Sequence, residues 1–235
     1  MQNNNDYSTS WSTGNTQINK KEYEVLDLFP TPVYTTTMPQ ELSSIIPFLD
    51  AQAPNSGSDI ENYGERSSNS YILNEPECAE TRKFVLEHIK EFAENVMLYN
   101  YDTWELSQSW VSRKLPGQHH QMHTHPNSLI SGVFFYGEPS EQTPAIKFHK
   151  MQGGINQQVL QPAIKPDKRS SKFAWVEFSI NFAPGLLLLF PSYLFHSVPL
   201  NESKTVRSSV AFNVVPKNRL GSEENLTELD FSKII

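Results

Sequence analysis

From Trp104 onward the sequence is written in short β-rich runs punctuated by turn residues, and that rhythm limits the available folds more than any other feature. Ser109 to Lys114, Leu129 to Tyr136, Ala145 to His149, Phe173 to Ile180, Leu186 to Phe190 and Ser208 to Val215 carry Val, Ile, Leu, Phe and Tyr between segments of Gly, Pro, Asn and Asp. Runs of this length at this spacing predict an antiparallel sandwich or barrel. Phe173, Trp175, Glu177 and Ser179 do not alternate cleanly with their neighbours, which predicts burial on both faces or a bulge. Residues 150 to 171, with Gly153-Gly154, Pro162 and Pro166, read as a long excursion between strands, a feature uncommon unless it serves function.

The N-terminal part has a different texture. Residues 1 to 22 are mostly Asn, Ser, Thr, Gln and Lys, too polar to repay the entropy of ordering, and read as a flexible tail before one domain spanning 23 to 235. Val33 to Thr37 is β-prone after the Pro-Thr-Pro at 30 to 32, residues 39 to 52 fit a helix opened by Pro39, and 53 to 70 read as a loop. The strongest helix starts near Pro76. Val85, Ile89, Phe92 and Val96 recur at offsets of four, three and four, one face of a helix that runs to about Tyr99 and packs on a sheet. His88 flanks that face between Glu87 and Glu91 and reads as a boundary residue.

Composition removes several classes of function. Nineteen basic against 26 acidic side chains give a net charge of −7, which argues against a general nucleic-acid-binding module, since that affinity rests on Lys and Arg displacing counterions. The single cysteine, Cys78, excludes internal disulfides and thiolate zinc sites and fits a reducing compartment. The first residues, Met1-Gln2-Asn3-Asn4-Asn5, are no signal peptide. The longest apolar run, Leu186 to Phe190, falls far short of the ~20 residues that cross a bilayer. A soluble, cytoplasmic protein is expected.

Histidine supplies the chemistry. Four of the seven histidines, His119, His120, His123 and His125, fall in one window before a strand. In an extended chain His123 and His125 project from one side and can place two imidazoles on one ion, and imidazole suits Fe(II), Zn, Cu or Ni. Downstream, Pro184-Gly185 forms a turn, Leu186 to Phe190 a buried strand and Pro191-Ser192 another turn, followed by His196 and, after ten residues, Arg207-Ser208-Ser209. A histidine and an arginine on two neighbouring strands can supply a metal ligand and a planar fork for a carboxylate.

The pattern Pro184-Gly185-x4-Phe190-Pro191-Ser192-x3-His196-x10-Arg207-x-Ser209, with His123-x-His125 about 70 residues upstream, resembles the 2-oxoglutarate/Fe(II)-dependent oxygenases. Ser109-Trp110-Val111, His123-Thr124-His125-Pro126-Asn127-Ser128, Ser131 to Tyr136, Val210 to Asn213 and Leu28 to Tyr34 are similar to the members of that superfamily found in marine bacteria and cyanophages. The resemblance implies a mainly β fold with flanking helices, a double-stranded β-helix or jelly roll with a cupin-like barrel, and Fe(II) and 2-oxoglutarate as cofactor and co-substrate. It further implies His123 and His196 as metal ligands, Arg207 on the remote carboxylate of the keto acid and Ser209 beside it. Oxygen would then be used to hydroxylate a substrate, with release of succinate and CO2.

One position departs from the family pattern. An Asp or Glu normally stands two residues after the first histidine, completing a two-histidine, one-carboxylate triad; this chain has His125. His125 is the favoured third ligand, with His120, Asn127, a distant carboxylate or water as alternatives. Gly117-x5-His123-x-His125 also resembles the start of the cupin motif, but Leu129 and Ile130 stand where its glutamate belongs. A cupin-type three-histidine metalloenzyme that ignores 2-oxoglutarate is therefore a rival, and a non-catalytic jelly-roll or virion-associated binding module is another. Trp110, Tyr136 and Asn213 are candidate pocket residues, and His149 reads as solvent-facing. No phosphate-binding Gly-rich loop or Gly-x-Ser-x-Gly elbow is present.

Overall fold

The computed structural model describes residues 26–27, 29–39, 44–52, 64–150, 175–231 and 233. The backbone falls into two units, Met1–Thr31 and Pro32–Ile235, and everything below concerns the second. The expected tail over 1–22 and most of the excursion over 150–171 lie outside the described residues.

Strands β1 (Tyr34–Thr37), β2 (Glu65–Arg66), β3 (Trp104–Lys114), β5 (Ile130–Tyr136), β8 (Leu186–Pro191) and β10 (Arg207–Pro216) form a six-stranded sheet in the order β1-β8-β5-β10-β3-β2. Strands β4 (His120–His123), β6 (Ile146–His149), β7 (Glu177–Ile180) and β9 (His196–Val198) form a second sheet in the order β4-β9-β6-β7. Every pairing within these two sheets is antiparallel. From β3 to β10 the chain passes between the sheets repeatedly, which is the double-stranded β-helix. A small hairpin of β11 (Arg219–Leu220) and β12 (Leu229–Asp230) follows.

Two apolar clusters hold the larger sheet, one on each face. Ile130, Phe134 and Tyr136 of β5, Leu187 and Leu189 of β8, and Val210, Phe212 and Val214 of β10 pack against the helical layer, whereas Val133, Phe135, Leu188 and Phe190 meet Ile146 and Phe148 of the second sheet. The Phe148 and Phe190 rings meet edge to face at 5.0 Å. A strand covered on both sides must be apolar at successive positions, which is why β8 and the Val133–Tyr136 part of β5 read as unbroken apolar runs. Gly132 is required at its place: a Cβ there would collide with the Phe212 ring and stand 2.9 Å from Leu189 Cδ2.

Several boundaries differ from the sequence expectation. β3 begins at Trp104 rather than Ser109, because a bulge at Ser107 lets both Leu106 and Val111 face the helices although they are an odd number of residues apart. The helix expected over 39 to 52 is a short α1 (Ile46–Asp50) with Pro47 in its first turn. The helix expected from Pro76 to Tyr99 is a 3-10 turn at Pro76–Cys78, then α2 (Ala79–Glu91), then a π turn at Phe92–Val96. Val85, Ile89 and Phe92 are buried as expected, but the wider π turn shifts the phase, so Ala93 is buried and Val96 is 46% exposed. His88 takes a structural role, its Nδ1 lying 2.7 Å from the Tyr34 hydroxyl. No helix among the described residues is long and apolar enough to cross a membrane.

Candidate metal centre

His123 is the last residue of β4 and pairs in register with His196, the first residue of β9. His125 stands two residues beyond the strand end, so strand alternation does not aim it, contrary to the sequence expectation. A turn aims it instead. The His125 amide donates to the Ser192 carbonyl at 3.0 Å, and the same Pro191–Leu194 turn, closed by Leu194 N to Pro191 O at 2.9 Å, delivers His196. The turn is itself tied down by hydroxyls: Ser192 Oγ lies 2.9 Å from Ser128 Oγ and 2.8 Å from Ser131 Oγ, and Ser131 donates to Asn213 Oδ1 at 3.1 Å.

One nitrogen from each of His123, His125 and His196 lies within 4.8 Å of the other two. The Nε2 atoms of His125 and His196 are 3.2 Å apart, close to the ~3 Å expected of two nitrogens at right angles on one ion with metal–nitrogen bonds near 2.1 Å. The tautomers suit that use. His123 Nδ1 donates to the Gln121 carbonyl at 2.8 Å and His196 Nδ1 to the Leu194 carbonyl at 2.9 Å, leaving each Nε2 with a free lone pair. Burial, with the neighbouring histidines, pushes His196 down to about 3 and His125 down to about 4, and burial lowers His123 as well. A neutral imidazole is the form that ligates, so the fold has already removed the competing proton.

Among the described residues this cluster contains no carboxylate. His120 stacks on His123 with ring centres 4.2 Å apart but does not join the converging group. Asn127 is exposed, with a positive φ of 59°. Trp110 stacks over His125 at 6.0 Å, and Asn213 lies on the same inner face of the sheet. Tyr136 does not reach the site: it is buried in the helix-side cluster, a correction to its candidacy as a pocket residue. His149 is half-buried with its Nε2 2.8 Å from Ser197 Oγ, so it is not solvent-facing.

Arg207 and His196 stand in opposite sheets rather than on neighbouring strands. Arg207 is 2% exposed; its Nε donates to the Pro144 carbonyl at 3.0 Å and its guanidinium lies 4.9 Å from the Phe135 ring centre. Among the described residues it has no carboxylate partner, and burial lowers it to about 10. Ser209, two residues on along the same inner face, donates to the Ser112 carbonyl at a long 3.4 Å. Lys114, which the sequence reading passed over, is also 2% exposed and stands opposite Arg207 in the β3–β10 register. Its only sequence signal is a lysine closing a β-rich run, the same as that of an ordinary surface lysine.

Such a site can hold a cation on three neutral nitrogens and an anion on the facing wall. Residues 108–213 match the sequence model of the family described as "Putative 2OG-Fe(II) oxygenase". No curated protein matches the chain in sequence. Among solved structures the chain is similar to HygX from Streptomyces hygroscopicus with nickel, 2-oxoglutarate and hygromycin B bound (10% identity, 80% of this chain and 84% of that one, TM-score 0.55). It is also similar to a Pseudomonas putida prolyl-4-hydroxylase (12% identity, 78% and 92%, TM-score 0.51) and to a 2OG-Fe(II) oxygenase family oxidoreductase from Burkholderia pseudomallei (12% identity, 77% and 83%, TM-score 0.52). At these identities the structural likeness establishes the double-stranded β-helix. The matched stretch from Gln108 to Asn213 holds all three converging histidines and the buried arginine, and over this stretch the chain is similar to the family described as putative 2OG-Fe(II) oxygenases.

Proposed function

We propose that the protein uses Fe(II), 2-oxoglutarate and dioxygen to hydroxylate a C–H bond of its substrate, with release of succinate and CO2. His123, His125 and His196 would hold the iron through their Nε2 atoms, and Arg207 would take the remote carboxylate of the keto acid, with Ser209 beside it. When bound, iron and keto acid supply the oxygen-activating redox chemistry. The chain's own residues hold the three nitrogens deprotonated, keep two of them oriented through their carbonyl acceptors, and present a buried cation to the far end of the keto acid.

The observation that carries this reading is the pairing of a three-nitrogen cluster with a buried guanidinium that has no acid partner among the described residues. A neutral imidazole at His125 in place of a carboxylate leaves the metal one unit more positive, which favours a dianionic keto acid. Adding Fe(II) and 2-oxoglutarate anaerobically should produce a visible charge-transfer band, and admitting oxygen should produce succinate. Metal-replete protein that shows neither would overturn the proposal.

That the cluster holds no carboxylate among the described residues also favours a second reading, a cupin-type three-histidine metalloenzyme. That enzyme would bind metal with no spectral or calorimetric response to 2-oxoglutarate.

A further inference from the structure

The inner face of β10 and β3 carries more positive charge than one arginine accounts for. Arg207 and Lys114 face each other across the β3–β10 pair, and residues directly opposite in an antiparallel pair project to the same side of the sheet. Both side chains are 2% exposed. Lys114 Nζ donates to Ser112 Oγ at 2.9 Å, and Arg207 uses one donor on the Pro144 carbonyl. An ammonium has three donors and a guanidinium five, so among the described residues most of the donors on this wall are unspent. Neither cation has an ion-pair partner among the described residues, in a chain of net charge −7.

Two adjacent buried cations without a counter-charge are costly, and the cost is relieved when the lysine gives up its proton or when an anion completes the pair. The surroundings hold the lysine in place. Asn201, fully buried, donates from Nδ2 to the Lys114 carbonyl at 2.8 Å and to the Thr205 carbonyl at 2.9 Å, joining the end of β3 to the loop that leads into β10. Gly64, with φ at +84°, lies behind the lysine stem, where a Cβ would stand 2.7 Å from Lys114 Cδ and 3.1 Å from Nζ. Lys114 closes β3 six residues before His120 opens β4, so the chain runs directly from the lysine into the histidine-bearing strand.

We propose that Lys114 is a second cation for the keto acid, forming with Arg207 a two-cation cradle that selects a dicarboxylic over a monocarboxylic co-substrate. This rests on the oxygenase reading above. Arg207 supplies the planar fork for the remote carboxylate, and Lys114 supplies a point charge with freely directed donors, a division of labour the two side chains are chemically suited to. Burial and the adjacent arginine push Lys114 down to about 7, and an anion bound beside it would favour the charged form. The cost of burying the pair falls on the free protein, and the gain appears only on binding, so the lysine contributes selectivity rather than stability.

The test is anaerobic calorimetry on the full chain loaded with Fe(II), titrated with 2-oxoglutarate and, separately, with 2-oxobutyrate, which lacks the remote carboxylate. Lys114→Met should weaken 2-oxoglutarate by at least about tenfold, the scale of a charged hydrogen bond, and leave 2-oxobutyrate and metal affinity within about twofold. Lys114→Arg should restore most of the loss. Without ligand, Lys114→Met should unfold at the same temperature as the parent or higher, because it removes an uncompensated buried charge. Lys114→Gln, which keeps a donor to Ser112, provides a second neutral variant with the same expected loss. If both neutral variants bind 2-oxoglutarate as tightly as the parent, or lose both keto acids equally, the cradle is overturned while the oxygenase reading stands. If the unsubstituted, metal-loaded protein itself fails to bind 2-oxoglutarate, the oxygenase reading is overturned and the cradle with it.

Discussion

The two faces of strand β10 follow opposite rules. Outward, Val210, Phe212 and Val214 are buried among the helices and obey the ordinary logic of a core, in which each removed methylene weakens the fold. Inward, Arg207, Ser209 and Asn213 are also buried, yet they are polar or charged, each with a single side-chain hydrogen bond among the described residues. The outer face lowers the energy of the folded chain and the inner face raises it. A strand that is half ballast and half poised for ligands can be altered on one side with little effect on the other, and that separation is testable.

The largest effect is expected on the outer face. Phe212→Ala should cost about 3–5 kcal/mol of unfolding free energy, as for other buried aromatics, read by urea denaturation, while the folded fraction keeps its metal and keto-acid affinities. A shift in keto-acid affinity as large as the loss of stability would break the division between faces. Next, Arg207→Met should weaken 2-oxoglutarate by about a hundredfold, the scale of removing one partner of a buried charge pair. It should leave metal binding intact and metal-free stability unchanged or raised, and a fall in the unfolding midpoint would place Arg207 with the structural residues instead.

The pH dependence of metal-free protein sharpens the comparison at the histidine end. Burial holds His196 at about 3 in the folded state against about 6.5 when unfolded. Between those values the unfolded chain binds a proton that the folded chain refuses. Stability is therefore full above pH 6.5 and falls with acidification by up to about 1.4 kcal/mol per unit for this residue, with His125 adding in the same direction. Thermal unfolding between pH 7.5 and 4 reads this loss, and a flat profile would mean the cluster is solvated. His125→Asp should keep a metal ligand and weaken 2-oxoglutarate several-fold, because a carboxylate cancels one positive charge at the metal; calorimetry with both keto acids separates that from misfolding. The smallest effect belongs to Ser209→Ala, a few-fold loss of 2-oxoglutarate affinity, about the worth of one neutral hydrogen bond.

The same division explains what the sequence disclosed. The fold class was legible because β5 and β8 are sandwiched between two layers and their apolar runs stand out between turn residues. The histidines were legible because imidazoles are rare enough to stand out in spacing alone. What escaped has no one-dimensional trace. The bulge at Ser107 changes the facing of β3 without changing its composition, and the π turn at Phe92–Val96 rotates Val96 outward while its periodicity still reads as one face. β4 and β9 are four and three residues long and histidine-bearing, so they carry no strand signal. Lys114 acquires its meaning only from the residue opposite it, which is a fact of pairing.

The Pro191–Leu194 turn has a consequence for how the metal site tolerates change. It delivers His196 and, through the Ser192 carbonyl, anchors His125, so the three candidate ligands ride on two mechanical parts: this turn and the end of β4. An inserted or deleted residue within the turn would carry His125 and His196 together, tending to preserve their 3.2 Å spacing while opening the triangle on the His123 side. A one-residue insertion in the turn is therefore expected to abolish metal binding in one step rather than by degrees.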